Sequence, residues 1–184
     1  MGEKRTTRRT GQRGFTLVEM LIATVVVLVG LVAVAELVPS SVMLNSNNRN
    51  DGTALVFAQR ELEALREQPL NNASFSDPVG VTCPAGQGCS LGNAALPKQL
   101  VGSPVVLGGA GQPLINFAAA PVAGYSFNFV DPNDPFSAPY DVRWAVITYA
   151  NGPMVTGRRI IVGVFRRGMH TPSLPITLDS IVEK

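Results

Sequence analysis

Residues 14–38 read GFTLVEMLIATVVVLVGLVAVAELV, an apolar run that decides how the rest of the chain is arranged. From residue 15 to residue 38 the only charged side chains are Glu19 and Glu36. A helix of about 20 residues crosses the roughly 30 Å hydrocarbon layer of a membrane, because each residue adds about 1.5 Å. The pattern therefore predicts a membrane-spanning helix over residues 15–38.

The charge of the chain is concentrated in front of this run. Residues 1–14 carry one acidic side chain, Glu3, against five basic ones, namely Lys4, Arg5, Arg8, Arg9 and Arg13. Since the whole chain has a formal net charge of +2, the remainder is slightly acidic, which argues against nucleic-acid binding. Basic residues before a span predict a cytoplasmic N-terminus and place residues beyond the span outside the inner membrane. A solvated, disordered arm is the alternative interpretation of this tail.

Three interpretations compete for the N-terminal segment. Ala33-Val34-Ala35 before Glu36 is similar to a signal-peptidase site, although the apolar stretch before it is longer than the usual 7 to 15 residues. An uncleaved signal anchor explains the length and orientation but leaves Glu19 unexplained. The third interpretation is a leader that is cut after Gly14, so that the apolar helix stays in the product.

The motif G-F-T-L-V-E at residues 14–19 resembles the N-terminal signature of type IV pilins and of the type II secretion pseudopilins. The resemblance implies that a prepilin peptidase removes residues 1–14 by cutting between Gly14 and Phe15, and that Phe15 is then N-methylated. Glu19 becomes the fifth residue of the mature chain, where the family carries its glutamate.

Glu19 is costly in a membrane unless it has a partner. A carboxylate near the bilayer centre costs about 2.5 to 3.5 kcal/mol on insertion scales. The amine that cleavage would expose on Phe15 of a staggered neighbour is one such partner, and pairing would fix the register between helices. We therefore expect Glu19 to direct subunit assembly; a solvated carboxylate among the headgroups is the alternative. Glu36 falls near the outer interface and receives no role.

Residues 39–69 predict a continuation of the helix with two weak points. Pro39 is expected to kink or interrupt it. The segment 45–52, NSNNRNDG, is a loop by composition, whereas the family resemblance implies a softened region within one long helix. Residues 53–67 then predict an amphipathic helix that Pro69 ends. Its inward side is predicted to carry Leu55, Ala58, Leu62 and Leu65, and its outward side Arg60, Glu61, Glu63 and Glu67.

Residues 70–184 predict a β-rich globular domain outside the membrane. The strongest signal is a hairpin of strands 140–150 and 154–167 around the turn Asn151-Gly152-Pro153, with Val142, Trp144 and Val146 facing the helix. Further strands are predicted over 124–130 and 175–182, and loops with occasional strands over 70–123. The hairpin is also similar, more loosely, to the strand pair of PilV-type minor pilins.

Cys83 and Cys89 are the only cysteines, and outside the inner membrane they are expected to form a disulfide. A metal site is disfavoured because His170 is the single histidine. Asp131, Asp134 and Asp141 lack the ligand spacing of a calcium loop. The pairs Arg158-Arg159 and Arg166-Arg167 predict a solvated strand face or, less simply, a contact surface for an acidic neighbour. Asn72-Ala73-Ser74 fits a glycosylation sequon and stays unassigned.

The sequence thus predicts an α+β protein in which a long N-terminal helix packs against a C-terminal antiparallel sheet. No nucleophile elbow or phosphate loop is present, so we expect no enzyme and no cofactor. The resemblance implies a minor pilin of a type IV pilus-like filament; the alternatives are a type II secretion pseudopilin or a membrane-tethered binding module such as an adhesin. It implies as partners the prepilin peptidase, other pilin subunits and an inner-membrane assembly platform with a cytoplasmic ATPase. The chain is expected first in the inner membrane, then in a filament at the cell surface or in the periplasm.

Overall fold

The computed structural model describes residues 14–132, 138–168 and 174–183. Within them the chain forms one helix followed by nine strands. In order these are α1 (Leu17–Glu67), β1 (Ser74–Phe75), β2 (Cys89–Ser90), β3 (Leu100–Gly102), β4 (Val105–Leu107), β5 (Pro113–Ile115), β6 (Ser126–Val130), β7 (Pro139–Asn151), β8 (Met154–Arg166) and β9 (Ile176–Glu183). The chain divides into two compact units between Asn45 and Ser46.

The first unit contains the apolar part of α1. Its segment Leu17–Asn45 is long and apolar enough to cross a membrane, and its large apolar side chains are exposed. It extends seven residues beyond the predicted limit at Val38, since Val42, Met43 and Leu44 are apolar and exposed as well. The apolar side chains of this segment are therefore exposed in the described part of the chain.

The predicted interruption at Pro39 is wrong, because α1 runs through it without a break. A proline removes one backbone hydrogen bond, but the helical turns on either side are already formed and need no new nucleation. The hydroxyls of Ser40 and Ser41 also donate to the carbonyls of Glu36 and Leu37, at 3.1 and 2.8 Å.

The loop predicted from composition over 45–52 is also wrong, and the helical alternative is correct. The hydroxyl of Thr53 donates to the Arg49 carbonyl at 3.0 Å, within the same helix. Residues of poor helix propensity cost a few tenths of a kcal/mol each, up to about 1 for glycine. That cost is tolerable in a 51-residue helix which continues on both sides.

The second part of α1 packs against the sheet, and its buried face agrees with the prediction in part: Ala58 and Leu65 are buried as predicted. Leu55 is 38% exposed and Leu62 is only half-buried, whereas Phe57 and Glu61 are buried. The ring of Phe57 contacts Phe129 and Tyr140 edge to face, with centroids 4.5 and 5.0 Å apart. An aromatic ring buries more area than a leucine, which favours this rotation of the helix. The buried positions are Ala54, Phe57, Ala58, Glu61 and Leu65.

The main sheet has five antiparallel strands built on the hairpin of β7 and β8. The predicted hairpin is confirmed: the two strands have 13 residues each and turn at Gly152-Pro153, where Gly152 has a φ of +61°. Both β3 and β6 pair with β7, and β9 pairs with β8, so the predicted strands over 124–130 and 175–182 are confirmed too. β8 is an internal strand, which explains why it is apolar on both faces.

The sheet buries both of its faces. Val142, Trp144 and Val146 join the core shared with α1, as predicted. On the other face, Ile115 of β5 packs with Ala145 and Ile161. A side chain at Gly163 would come within 2.7 Å of Ile115, so glycine is required for this approach. Residues 70–123 contribute short strands. Of these, the β4–β5 pair covers the sheet face opposite the helix.

Candidate functional site

The start of α1 has the geometry of a capped helix. Gly14, Phe15 and Thr16 are not helical, and Leu17 is the first helical residue. The Glu19 amide donates to the Thr16 hydroxyl oxygen at 3.2 Å, and the Met20 amide donates to the Thr16 carbonyl at 3.1 Å. Thr16 is therefore the N-cap, and Glu19 occupies the position where a capping box carries its acid.

The predicted cleavage position lies just before this cap. Phe15 is 81% exposed, and a side chain at Gly14 would meet no atom within 4 Å among the described residues. A peptide bond in non-helical, exposed backbone is accessible to a peptidase, whereas one inside a helix is held by the helical hydrogen bonds. Cleavage at Gly14–Phe15, methylation of Phe15 and the assembly role of Glu19 stay predictions. The basic residues of the leader lie outside the described residues.

Cys83 and Cys89 are bonded to each other in the structure, and both are buried. Beside them, the Asp77 carboxylate accepts hydrogen bonds from the amides of Val79, Val81 and Thr82 at 2.8 to 2.9 Å and from the Thr82 hydroxyl at 3.0 Å. These donors stabilise the charged form and lower the pKa of Asp77 to about 2. The bond and the carboxylate together fix the loop that follows β1.

Glu61 is the polar residue that the sequence analysis placed wrongly. It was predicted to face outward, but it is only 2% exposed, and its Oε1 has no hydrogen-bond partner among the described residues. Desolvation raises its pKa to about 8, against a smaller opposing effect of Arg60. Glu61 is therefore neutral at pH 7. The buried positions 54, 57, 58, 61 and 65 follow the period of a helix. If the inward face had been assigned from Phe57, Glu61 would have been predicted to lie on it.

The two arginine pairs do not form one solvated face, because Arg158 and Arg166 are buried, whereas Arg159 and Arg167 are partly exposed and each pair with an aspartate. The contact surface for an acidic neighbour stays a prediction for the two exposed side chains. Arg158 is buried and donates to the carbonyls of Pro69, Leu70 and Asn72, while burial lowers its pKa. Arg159 pairs with Asp179 at 2.5 Å. Arg166 is buried with its guanidinium over the Tyr140 ring. Arg167 pairs with Asp141 at 2.5 Å. Alternation along β8 sends neighbouring arginines to opposite faces, and both faces offer partners.

The structure also bears on the metal ligands considered from sequence. Asp141 is held by Arg143 at 2.8 Å as well as by Arg167. Within residues 14–132, 138–168 and 174–183, no three His, Cys, Asp or Glu side chains are grouped as a metal site would need. Asp134 and His170 lie outside the described residues.

Comparison with known families identifies one match. Residues 9–35 match the family model described as the prokaryotic N-terminal methylation motif. No curated protein matches the chain. No solved structure matches it either. The match includes Gly14, Phe15 and Glu19, and it confirms the resemblance to the type IV pilin and pseudopilin family while leaving the PilV-type assignment open.

The match and the structure together support a type IV pilin-like or pseudopilin precursor. The family motif covers the cap and most of the apolar helix, and the segment Leu17–Asn45 supports anchoring in a membrane. Pilin-like proteins of this family are structural components. The globular unit from Ser46 onward lies outside the matched residues.

Proposed function

We propose that this chain is the precursor of a minor pilin, a structural subunit of a type IV pilus-like filament with no enzymatic activity. The single observation that carries the proposal is the start of α1. Residues 9–35 match the methylation motif, and a capped helix with Glu19 in its first turn begins within that match and continues as a 29-residue apolar segment. A signal peptide requires neither the methylation motif nor a capped helix with Glu19 in its first turn.

In this proposal a prepilin peptidase cuts between Gly14 and Phe15, and Phe15 is then methylated. The exposed, non-helical backbone of Gly14 and Phe15 supports such a cut. Because Thr16 caps the helix immediately afterwards, cleavage leaves the helix intact. Phe15 then provides an amine one turn away from Glu19 along the helix.

Glu19 acts in assembly by pairing with the Phe15 amine of a neighbouring subunit. Glu19 is exposed and lies among apolar side chains that are themselves 55 to 82% exposed in much of this segment, which supports a partner from another chain. Pairing in a low-dielectric environment removes the cost of two isolated charges and penalises wrong registers. The apolar surface of α1 is thereby covered by other subunits.

The basic leader places the N-terminus in the cytoplasm, and the globular unit lies outside the inner membrane. The Cys83–Cys89 bond suits that oxidising compartment. The proposed partners are the prepilin peptidase, other pilins and an inner-membrane platform driven by a cytoplasmic ATPase.

The mass of the intact protein extracted from membranes tests the proposal. We expect a chain that begins at Phe15 and carries one additional methyl group. Substitution Gly14→Leu should block this cut, whereas Ala35→Leu, which blocks a signal-peptidase site, should leave it unchanged. A product that begins at Glu36, or an uncut chain that still assembles, would contradict the proposal.

A pilus subunit and a type II secretion pseudopilin differ in where the filament ends. The loose sequence resemblance of the hairpin over 140–167 to PilV-type minor pilins is the reason for proposing the pilus. We expect the mature chain in filaments sheared from the cell surface. Retention of all mature chain in the periplasm of cells that carry surface pili would instead favour the pseudopilin.

A further inference from the structure

A polar cavity of about 430 Å³ lies in the globular unit, beside β6 and the end of β8. We call it the Arg167 pocket. Polar atoms dominate its lining, and its volume falls within the range of small-ligand sites. Its lining includes Gln87, Pro121, Ser126, Asn128, Asp141 and Arg167.

The pocket carries an excess of positive charge. Asp141 is buried between two guanidinium groups, those of Arg143 and Arg167. Arg143 is fully buried and its donors go to both Asp141 oxygens and to the carbonyls of Asn116 and Ala119. The single carboxylate cannot neutralise two cations, so the excess charge reaches the pocket through Arg167.

Arg167 is held in place while part of it stays accessible. Its Nε and Nη2 donate to Asp141 Oδ2 at 2.9 and 2.5 Å, and its side chain is 49% exposed. A guanidinium has five N–H donors, so three remain for an acceptor in the pocket. Because Asp141 already fixes the planar group, a ligand carboxylate would meet a preorganised donor pair.

Neutral hydrogen-bonding groups surround this cation. The side-chain amides of Gln87 and Asn128 are exposed and make no hydrogen bond to other described residues. The Ser126 hydroxyl donates to the Val122 carbonyl at 3.0 Å, which leaves its oxygen free to accept. Pro121 adds an exposed apolar ring. The set offers one cation, two amides, one hydroxyl acceptor and one apolar face.

We infer that the Arg167 pocket binds a carboxylate-bearing sugar of the uronic acid class. The carboxylate would bind the free donors of Arg167, and the ring hydroxyls would bind Gln87, Asn128 and Ser126. A simple carboxylate would use only the cation, and a neutral sugar only the amides and the hydroxyl. This inference concerns the globular unit alone and stands apart from the processing of the N-terminus.

Binding of glucuronate to the full chain in detergent micelles, measured by calorimetry, tests the inference. Glucose and acetate serve as comparison ligands. We expect saturable binding of glucuronate and binding of either comparison ligand at least about tenfold weaker, since each lacks one set of hydrogen bonds. Arg167→Gln should weaken glucuronate binding by about 10- to 100-fold, because charge-assisted hydrogen bonds are lost.

Arg159→Gln is the matched control. Arg159 also lies on β8 and donates Nε and Nη2 to one aspartate, Asp179, but it does not line the pocket. The Arg159→Gln variant should keep the affinity for glucuronate unchanged within about twofold. Should Arg167→Gln lose its circular dichroism signature, the double variant Gln87→Ala, Asn128→Ala keeps the charge network and should weaken glucuronate more than acetate.

Three outcomes would overturn the inference. They are no saturable binding of glucuronate, equal affinity for acetate and glucuronate, and equal losses in the Arg167 and Arg159 variants. Tighter binding of a short peptide through its free C-terminal carboxylate would assign the pocket to a different class of partner.

Discussion

Each of the two parts of α1 contains a glutamate, and the two side chains lie in opposite environments. In the first part, Glu19 is exposed among apolar side chains that are exposed as well. In the second part, Glu61 is buried among apolar side chains of the chain's own core, between Ala58 and Leu65. One continuous helix therefore places a glutamate side chain in two different environments, exposed on an apolar surface and buried in the protein core.

The difference shows two ways in which a carboxyl group can leave water. Inside a folded core, burial raises the pKa of Glu61 to about 8, so the proton itself removes the charge. On the exposed apolar part of α1, the proposed assembly role gives the carboxyl group of Glu19 a partner from another subunit. A buried acid is thus explained by the domain that encloses it. An acid in a lipid-facing helix instead indicates an interface with another molecule.

The largest effect is expected for Glu19→Ala. We expect insertion and cleavage to persist while incorporation into filaments falls by roughly 100-fold, because an interfacial pair of about 3 kcal/mol is lost. Quantitative immunoblots of sheared filaments and of membranes measure both. Glu36→Ala, also in α1 and exposed, is the control and should assemble normally. Normal incorporation of the Glu19 variant would show that the two glutamates do not differ in this way.

A matched pair of leucines tests the same contrast in apolar packing. Leu65 is 1% exposed and Leu28 is 55% exposed, and both lie in α1. Leu65→Ala should lower the free energy of unfolding of the globular unit by about 2 to 5 kcal/mol, since it leaves a cavity in the core. Leu28→Ala should change it by less than about 0.5 kcal/mol. Denaturant titration in detergent, followed by Trp144 fluorescence, compares them. Equal losses would mean that the first segment shares the core.

The third prediction concerns the proton on Glu61. The folded chain keeps this proton up to pH about 8, whereas the ordinary carboxyl loses it near 4.5. Between these values the folded state binds more protons, so its stability falls as the pH rises, by roughly 3 kcal/mol between pH 4.5 and 7. Glu61→Gln is neutral throughout and should remove this part of the pH dependence, being more stable than the parent at pH 7 and similar near pH 4.5.

Denaturant titrations of parent and variant at several pH values between 4.5 and 8 measure this difference. Glu63→Gln, an exposed position on the same helix, is the control and should follow the parent. If the parent and Glu61→Gln curves stay parallel from pH 4.5 to 8, Glu61 is not buried as a neutral acid.

The smallest effect is expected for Asp77→Asn. In the parent, Asp77 is a third kind of carboxyl group, beside Glu19 and Glu61. Asp77 keeps its charge because three backbone amides and the Thr82 hydroxyl donate to it, and its pKa falls to about 2. Its contribution to stability is present above pH 3.8 and is lost as the pH falls through 2. The variant should therefore melt at a slightly lower temperature than the parent at pH 6, with the difference shrinking towards pH 2. A difference that grows on acidification would reverse this assignment.

The sequence predicted the parts of the fold that have a clear period or turn. The β7–β8 hairpin follows from its alternation and from Gly152, and the end of α1 at Glu67 follows from Pro69. Pro39 and the segment 45–52 were misjudged because local propensity was weighed without the length of the helix around them. Cooperativity outweighs a few unfavourable residues when turns exist on both sides.

The polar side chains of the globular unit were the least predictable part. Arg143, Arg158 and Arg166 are buried, although arginine is usually a surface residue. Asp141, one partner of Arg143, lies only two residues before it on β7. The other partners are backbone carbonyls and an aromatic ring that come from distant parts of the chain. No local pattern encodes such contacts. The cap of α1 was not predicted either, although Thr16 and Glu19 lie within one turn of the chain.

Arg158 has a mechanical consequence. Its guanidinium holds the carbonyls of Pro69, Leu70 and Asn72, where the chain leaves α1, while its backbone belongs to the central strand β8. Tension applied along α1 would pass through these donors into the interior of the sheet instead of peeling the linker from its edge. Under pulling force, the sheet of the Arg158→Met variant would separate from α1 at lower loads than that of the parent.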